Sequence, residues 1–242
     1  MKIKCYYRLC DKARMGWGYT WKICFENFIK NFNPISDECT VFIDNSSDAT
    51  VSEVIEICNK HKFNYKITND GNSIGFFKVW QIAYNNDDDV INYFVESDYL
   101  HRKGSKEALI EIFSSFAKDQ YVTLYDHPDK YYPFHWDTNT RTYRNYCDLQ
   151  DNMNIKSKIH YLQSGWWRTV PTTCFTFACT TKVLREDFEI LRKWTEPFGT
   201  ERGRDFDMFN EIIGTGRELY SPIPSYSGHT TLLPTGVDWT NI

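Results

Sequence analysis

Over its first 126 residues the chain alternates short β-branched and aromatic runs with stretches of helical spacing, and this rhythm restricts the fold more than any other feature. Residues 2–9, 40–43, 63–68, 90–95 and 120–125 read as strands. Between them, residues 21–32 place Ile23, Cys24, Phe28 and Phe32 on one helical face. Val51, Val54, Ile55 and Cys58 form a second amphipathic helix behind a Thr50/Glu53 capping box. Residues 75–84 read as a third helix, and Ala108, Leu109, Ile112, Phe113 and Phe116 make the stripe of a fourth, with Ser105 able to cap it. The order β-α-β-α-β-α-β-α-β predicts an α/β fold with a mostly parallel central sheet flanked by helices. At 242 residues the chain suits one large domain, or one domain with an insertion.

The rhythm fails over residues 127–158, which are polar and aromatic without a sustained period. A loop that long serves as a lid or binding element, or is a surface insertion. Beyond it, residues 159–163 and 172–178 read as strands and 182–194 as a helix. Residues 205–213 form a short helix with Phe206, Phe209, Ile212 and Ile213 inward, and 221–229 are extended. The expectation is a single domain over 1–242, divided as 1–126, 127–158 and 159–242.

Charge and cysteines narrow the class. A net charge of −4 lacks the basic field that nucleic-acid binding needs. Of the eight cysteines, Cys24, Cys39, Cys58, Cys174 and Cys179 sit in apolar or strand-like runs, where a free thiol packs as a small hydrophobe. There is no Cys-x-x-Cys, and Cys5 and Cys10 are not spaced as a zinc pair. The first residues lack the apolar core of a signal peptide, and no apolar run approaches the roughly 20 residues of a transmembrane segment. These features predict a reducing, cytoplasmic location. The aromatic fraction of 17% fits a stacking site for sugars or bases as well as it fits a Tyr-rich core; Trp166 and Trp167 carry the same two readings.

In open α/β sheets ligands bind beyond the carboxyl ends of the strands. Polar clusters fall at several such ends: Cys10-Asp11-Lys12, Asp44-Asn45, Asn69-Asp70 and Glu96-Ser97-Asp98. The last is the most informative, because two carboxylates emptying from one apolar strand repel unless a cation lies near. Such a pair can hold Mg²⁺ or Mn²⁺ while a diphosphate supplies further oxygens. Spacing alone leaves the bland readings standing. Glu-x-Asp occurs often by chance, Asp205 could simply cap its helix, and His229 could be an ordinary loop histidine. Arg8, Lys12 and Arg14 fit phosphate contacts or a solvated surface equally.

Colinear runs add to this reading. Residues 6–12, 93–101 (Tyr-Phe-Val-Glu-Ser-Asp-Tyr-Leu-His), 121–131, 172–178, 205–209 and 221–229 together resemble a family of small GT-A-fold glycosyltransferases, family-2-like, of bacteria and large viruses. The resemblance spans nearly the whole chain in order, parts of 127–158 excepted. It implies the GT-A (nucleotide-diphospho-sugar transferase) fold, with 1–126 as the nucleotide-sugar-binding half and 159–242 as the acceptor and catalytic half. It also implies a nucleotide-diphosphate sugar donor, UDP-linked by default, a Mn²⁺ or Mg²⁺ cofactor, and transfer to a hydroxyl of a glycan or other acceptor. The compartment would be a bacterial cytoplasm or that of a virus-infected host.

Carried over by position, Asp98 is the principal metal ligand. Glu96 stands at the motif's first acid, reaching the metal through water or contacting the donor's ribose, and His229 returns to the metal. Asp205 matches the catalytic base, with Asp207 as a competitor, and one base implies inversion at the anomeric carbon. Arg8, Asp11, Lys12, Asp44, Asn72, Glu96, Ser97 and Asp98 would contact the donor. Two departures stand out: the motif is Glu-Ser-Asp where relatives more often have Glu-Asp-Asp, and 127–158 is longer. Two rival readings use a similar sheet. A sugar-phosphate nucleotidyltransferase would need a Gly-rich phosphate cradle after the first strand, and Gly16 and Gly18 do not compose one. A non-catalytic nucleotide- or carbohydrate-binding module would not need Asp205 and His229.

Overall fold

The structure, a computed structural model, describes residues 1–13, 15–16, 18–128, 135–137, 142–144, 157–201, 203–234 and 236–239. The first half runs β1 (Ile3–Leu9), α1 (Trp21–Asn31), β2 (Cys39–Asp44), α2 (Asp48–His61), β3 (Asn64–Thr68), α3 (Asn72–Ala83), β4 (Ile91–Glu96), β5 (Tyr99–His101), α4 (Ser105–Ser115) and β6 (Tyr121–Val122). After the paired strands β7 (His135–Asp137) and β8 (Thr142–Arg144) come β9 (Ile159–Leu162), β10 (Gly165–Thr169), β11 (Phe177–Thr180), α5 (Thr181–Glu186), α6 (Phe188–Lys193), α7 (Asp205–Gly214), β12 (Leu219–Ile223) and β13 (Ser227–His229). Residues 129–134, 138–141 and 145–156 of the 127–158 stretch, and Arg14, lie outside the described residues.

Nine strands form one sheet in the order β3-β2-β1-β4-β11-β6-β12-β10-β9. The first four are parallel. Past β4 the sheet turns mixed: β11 enters antiparallel between β4 and β6, β12 runs parallel to β6, and β10 and β9 close the edge antiparallel. Period-2 alternation sends Cys5, Tyr7 and Leu9 to one face and Tyr6 to the other. The first face packs on Phe25, Phe28 and Phe32 of α1, Val54 and Cys58 of α2, and Leu109 and Ile112 of α4. The second packs on Phe76 and Trp80 of α3 and on Val183, Leu191, Met208 and Phe209 of α5–α7.

Several local expectations shift. Helix α2 is capped by Ser47, whose hydroxyl accepts from the Thr50 N–H, so Thr50 lies inside the helix rather than at its cap. Ser105 is the first helical residue behind Gly104, not the cap. The strand expected over 172–178 forms at Phe177–Thr180, because the Thr173 hydroxyl bonds Thr123 and the Thr176 hydroxyl bonds Glu96. The helix expected over 182–194 breaks at Asp187, whose carboxylate is taken by the Tyr121 hydroxyl and the Arg217 guanidinium. In α7, Phe209 and Ile212 are buried and Ile213 packs against the core as expected, but Phe206 is 44% exposed and Met208 takes its place inside. Seven cysteines are free thiols among the described residues.

Candidate active site

Strand β4 delivers Glu96 to the carboxyl end of the parallel sheet, and a turn carries the chain through Ser97 and Asp98 into β5. Three residues of β5 then pair antiparallel with β13, setting His229 opposite Tyr99. This short ladder brings together side chains 131 positions apart: His229 Nε2 lies 3.1 Å from Asp98 Oδ2. The Thr230 N–H donates to the Asp98 carbonyl at 2.9 Å, fixing the two backbones. The Tyr99 ring meets the imidazole edge-on, with centroids 5.1 Å apart. Asp98 Oδ1 is buried and has no hydrogen-bond partner among the described residues. A buried carboxylate oxygen without a donor is costly unless a cation completes it, so the site fits a metal ion.

Glu96 faces the same space. Burial, and then the Asp98 charge, push its carboxyl up to about 8. The Thr176 hydroxyl donates to it at 3.3 Å. A neighbouring carboxylate retaining its proton near neutral pH is the electrostatic signature of a site short of positive charge.

These groups open onto a cleft of about 810 Å³. Besides Glu96, Ser97, Asp98 and His229, it is lined by Arg8, Lys12, Asp44, Asn72 and Asp205. Of the ten residues assigned from sequence to the donor, the metal or the first-choice base, nine therefore line one cleft. The exception, Asp11, turns away: its carboxylate accepts from the Ser47 N–H at 2.9 Å and hydroxyl at 2.7 Å, tying the loop after β1 to the start of α2. Asp44 is 1% exposed and heavily bonded, accepting from Arg8 at 2.7 Å, the Thr68 hydroxyl at 3.0 Å and the Asp70 N–H at 2.8 Å. It braces the cleft wall where β2 and β3 end. The Ser97 hydroxyl accepts from the Cys10 N–H at 3.5 Å, bracing the loop that carries Lys12.

Asp205 arrives by another route. Carbonyls of Gly199, Thr200 and Glu201 accept the first three N–H groups of α3, docking that loop on the start of the helix. Gly203 makes the closure possible, since a Cβ there would sit 2.4 Å from the Phe175 ring. Asp205 follows as the first residue of α7; Arg204, not Asp205, holds the cap position. Asp207 does not line the cleft. Tyr125, Thr200, Thr231 and Leu232 do, without having been singled out from sequence. Thr231 had a signal in its spacing of two from His229, whereas Thr200 sits in a loop with no motif. Of the tryptophan pair, Trp167 is core and Trp166 is 52% exposed, 4.9 Å from the Tyr161 ring.

The mixed α/β sheet has its cleft at the carboxyl ends of the parallel strands, where the acid turn after β4 faces the returning His229. The fold is GT-A. It is similar to GalNAc-T7 in a crystal structure with UDP, GalNAc and Mn²⁺ (TM-score 0.61, 13% identity, 96% of this chain and 44% of that one). It is likewise similar to the mannosyltransferase PcManGT from Pyrobaculum calidifontis in complex with GDP-Man and Mn²⁺ (0.54, 14%, 91% and 54%), and to S. aureus TarS (0.51, 14%, 92% and 60%). The chain thus spans about half the length of these glycosyltransferases. A putative glucose-1-phosphate thymidylyltransferase from Bacillus anthracis shares the fold over 95% of this chain and 90% of its own (0.54, 9%). No family model matches the sequence, nor does any curated protein. Among the described residues no helix is long and apolar enough to cross a membrane, and no three His, Cys, Asp or Glu side chains form a metal cage.

Proposed function

We propose that the chain is a metal-dependent, inverting glycosyltransferase that moves a sugar from a nucleotide-diphosphate donor, UDP-linked by preference, to a hydroxyl of a glycan or similar acceptor. The observation that carries this reading is the Asp98–His229 pair at the cleft, with Asp98 Oδ1 buried and lacking a protein donor. Asp98 and His229 would hold Mn²⁺ or Mg²⁺, with Glu96 beside them. Two protein ligands leave coordination positions for diphosphate oxygens. When bound, the ion offsets the negative charge of the departing nucleoside diphosphate.

The chain's own groups do the rest. Asp205 accepts the proton of the acceptor hydroxyl while that oxygen bonds to the anomeric carbon and the bond from that carbon to the diphosphate oxygen breaks. Lys12, at the cleft wall, adds charge complementary to the leaving group. The docked 199–204 loop and the Asp44 brace hold base and donor side in fixed relation. One base and one displacement give inversion.

The test is a panel of nucleotide sugars with and without Mn²⁺, followed by product stereochemistry. Metal-stimulated release of a nucleoside diphosphate, lost in Asp98→Ala and in Asp205→Asn, is the expected result. Full activity in Asp98→Ala, or a product retaining the donor's anomeric configuration, overturns the reading. A second reading draws on the length match to the thymidylyltransferase. Against it, Gly16 is sealed on the Thr230 carbonyl, which a Cβ would approach to 1.9 Å, rather than opening a phosphate loop. Formation of a nucleotide sugar and pyrophosphate from sugar 1-phosphate and nucleoside triphosphate would establish that alternative.

A further inference from the structure

Strands β9 and β10 leave two large aromatic rings in solvent. Tyr161 is 67% exposed and Trp166 52%; they are register partners across the two strands, with ring centroids 4.9 Å apart. Trp167 points the other way and is fully buried in the layer packed on α1, α2 and α4. Alternation therefore turns Tyr161 and Trp166 to the opposite face, the one on which α7 packs behind its first residue, Asp205. The sheet also fixes the edge. Strand β11 runs antiparallel to β4 and to β6, and β12 runs parallel to β6, so β12 points the same way as β4. Ile223, the last residue of β12, thus lies at the edge where β4 ends in Glu96, and Trp166 is its partner in β10. A side-chain link joins the rings to the cleft. Tyr125 and His127 line the cleft, and Asp126 between them holds Arg168 at 2.9 Å, two residues from Trp166 and on the same face. Two strand spacings, about 10 Å, separate β10 from β6.

Large apolar side chains exposed side by side mark a binding surface. The two rings offer on the order of 300 Å², well below the roughly 800 Å² per partner of a stable protein interface. They carry no charge for a phosphate to meet. A pyranose fits them: one of its faces is a flat set of C–H groups that packs on an aromatic ring, while its rim of hydroxyls stays in water. We propose that Tyr161 and Trp166 are a stacking platform for a sugar of the acceptor, one or two residues removed from the hydroxyl that reacts. The acceptor is then an oligosaccharide, not a single sugar or an amino-acid side chain. This rests on the transferase reading above and adds the acceptor's class to it. A sugar held on the platform directs the oligosaccharide across the Asp126–Arg168 link and leaves its end over the cleft.

The experiment screens wild type with Mn²⁺ and UDP on an array of defined oligosaccharides, then titrates those retained into wild type, Trp166→Ala, Trp166→Phe and Tyr161→Ala. Metal-dependent donor hydrolysis by wild type is measured separately on the nucleotide-sugar panel. Trp166→Ala should weaken oligosaccharide binding about 10–100-fold, the loss typical of truncating an aromatic anchor. Tyr161→Ala should weaken it too, and Trp166→Phe, which keeps a stacking face, should bind close to wild type. Binding equal in wild type and Trp166→Ala, or absent from wild type, overturns the platform alone when donor hydrolysis is present. No metal-dependent hydrolysis of any donor overturns the transferase reading, and the acceptor role with it. Urea midpoints and sedimentation are followed on the same proteins. A marked fall in midpoint in Trp166→Ala means that the chain itself covers the ring, and a dimer that this variant turns into a monomer means that a second copy does; either overturns the platform.

Discussion

At the residue scale the cleft is a problem in charge. Glu96 and Asp98 face one another with burial against both, and the structure answers by holding the Glu96 proton up to about 8. Such a group binds its proton more tightly in the folded chain than its ordinary value of 4.5 allows in the unfolded one. Its stabilising contribution is complete below 4.5 and is lost as the pH rises through about 8. A glutamine there has no proton to lose. In EDTA, the melting temperature of Glu96→Gln relative to wild type should therefore climb across that interval. The underlying slope is no steeper than about 1.4 kcal/mol per pH unit. Excess Mn²⁺ should flatten the difference by supplying the missing positive charge. Parallel melting curves across the whole range would show that Glu96 ionises freely. Asp98 is tested through the reaction: on a donor that wild type turns over, Asp98→Asn should lower kcat/KM by about 10²–10³-fold, the loss typical of removing one preorganised electrostatic partner.

At the element scale the parallel half of the sheet was legible in sequence and the elements that finish the site were not. Strands β1 to β4 and the helices between them announce themselves through apolar period, and the strand ends supply Lys12, Asp44 and Glu96 without further information. The β5–β13 ladder does not, because strands of three residues carry no readable period and their pairing spans more than 120 positions. His229 reached Asp98 on paper only through family resemblance. Asp187 illustrates the opposite failure: helical spacing runs through it, yet partners far away in sequence claim its carboxylate and break the helix. Local pattern cannot report such tertiary claims. The 199–204 loop is the element most exposed to test. A Cβ at Gly203 would meet the Phe175 ring at 2.4 Å and the Ser73 hydroxyl at 3.0 Å. Gly203→Ala should cost about 1–3 kcal/mol by overpacking, read from urea midpoints. If the loop positions Asp205 as the proposed base, kcat should fall by more than KM rises; an unchanged kcat would show that the loop does not position Asp205.

At the scale of the whole molecule, the sheet interleaves the two ends of the chain. Strand β11 lies between β4 and β6, and β12 pairs with β6, so the segment after residue 158 is hydrogen-bonded into the segment before residue 127. Neither part can leave without breaking backbone ladders on both sides of β6, whose Val122 is fully buried. The two core layers report separately, since Trp167 packs on the α1–α4 face and Trp80 on the α3–α7 face. Exposing one layer exposes the strands that support the other, which couples them. Equilibrium unfolding in urea should therefore be a single transition. Far-UV circular dichroism and tryptophan fluorescence should share a midpoint, both in wild type and in Trp80→Phe, where Trp167 becomes the principal buried reporter. Val122→Ala should move both probes together to lower urea, by a few kcal/mol at most for a buried truncation. A fluorescence transition of Trp80→Phe separated from the backbone transition would mean that the halves fold as independent units, and that the cleft they share is an interface between domains instead of the edge of one sheet.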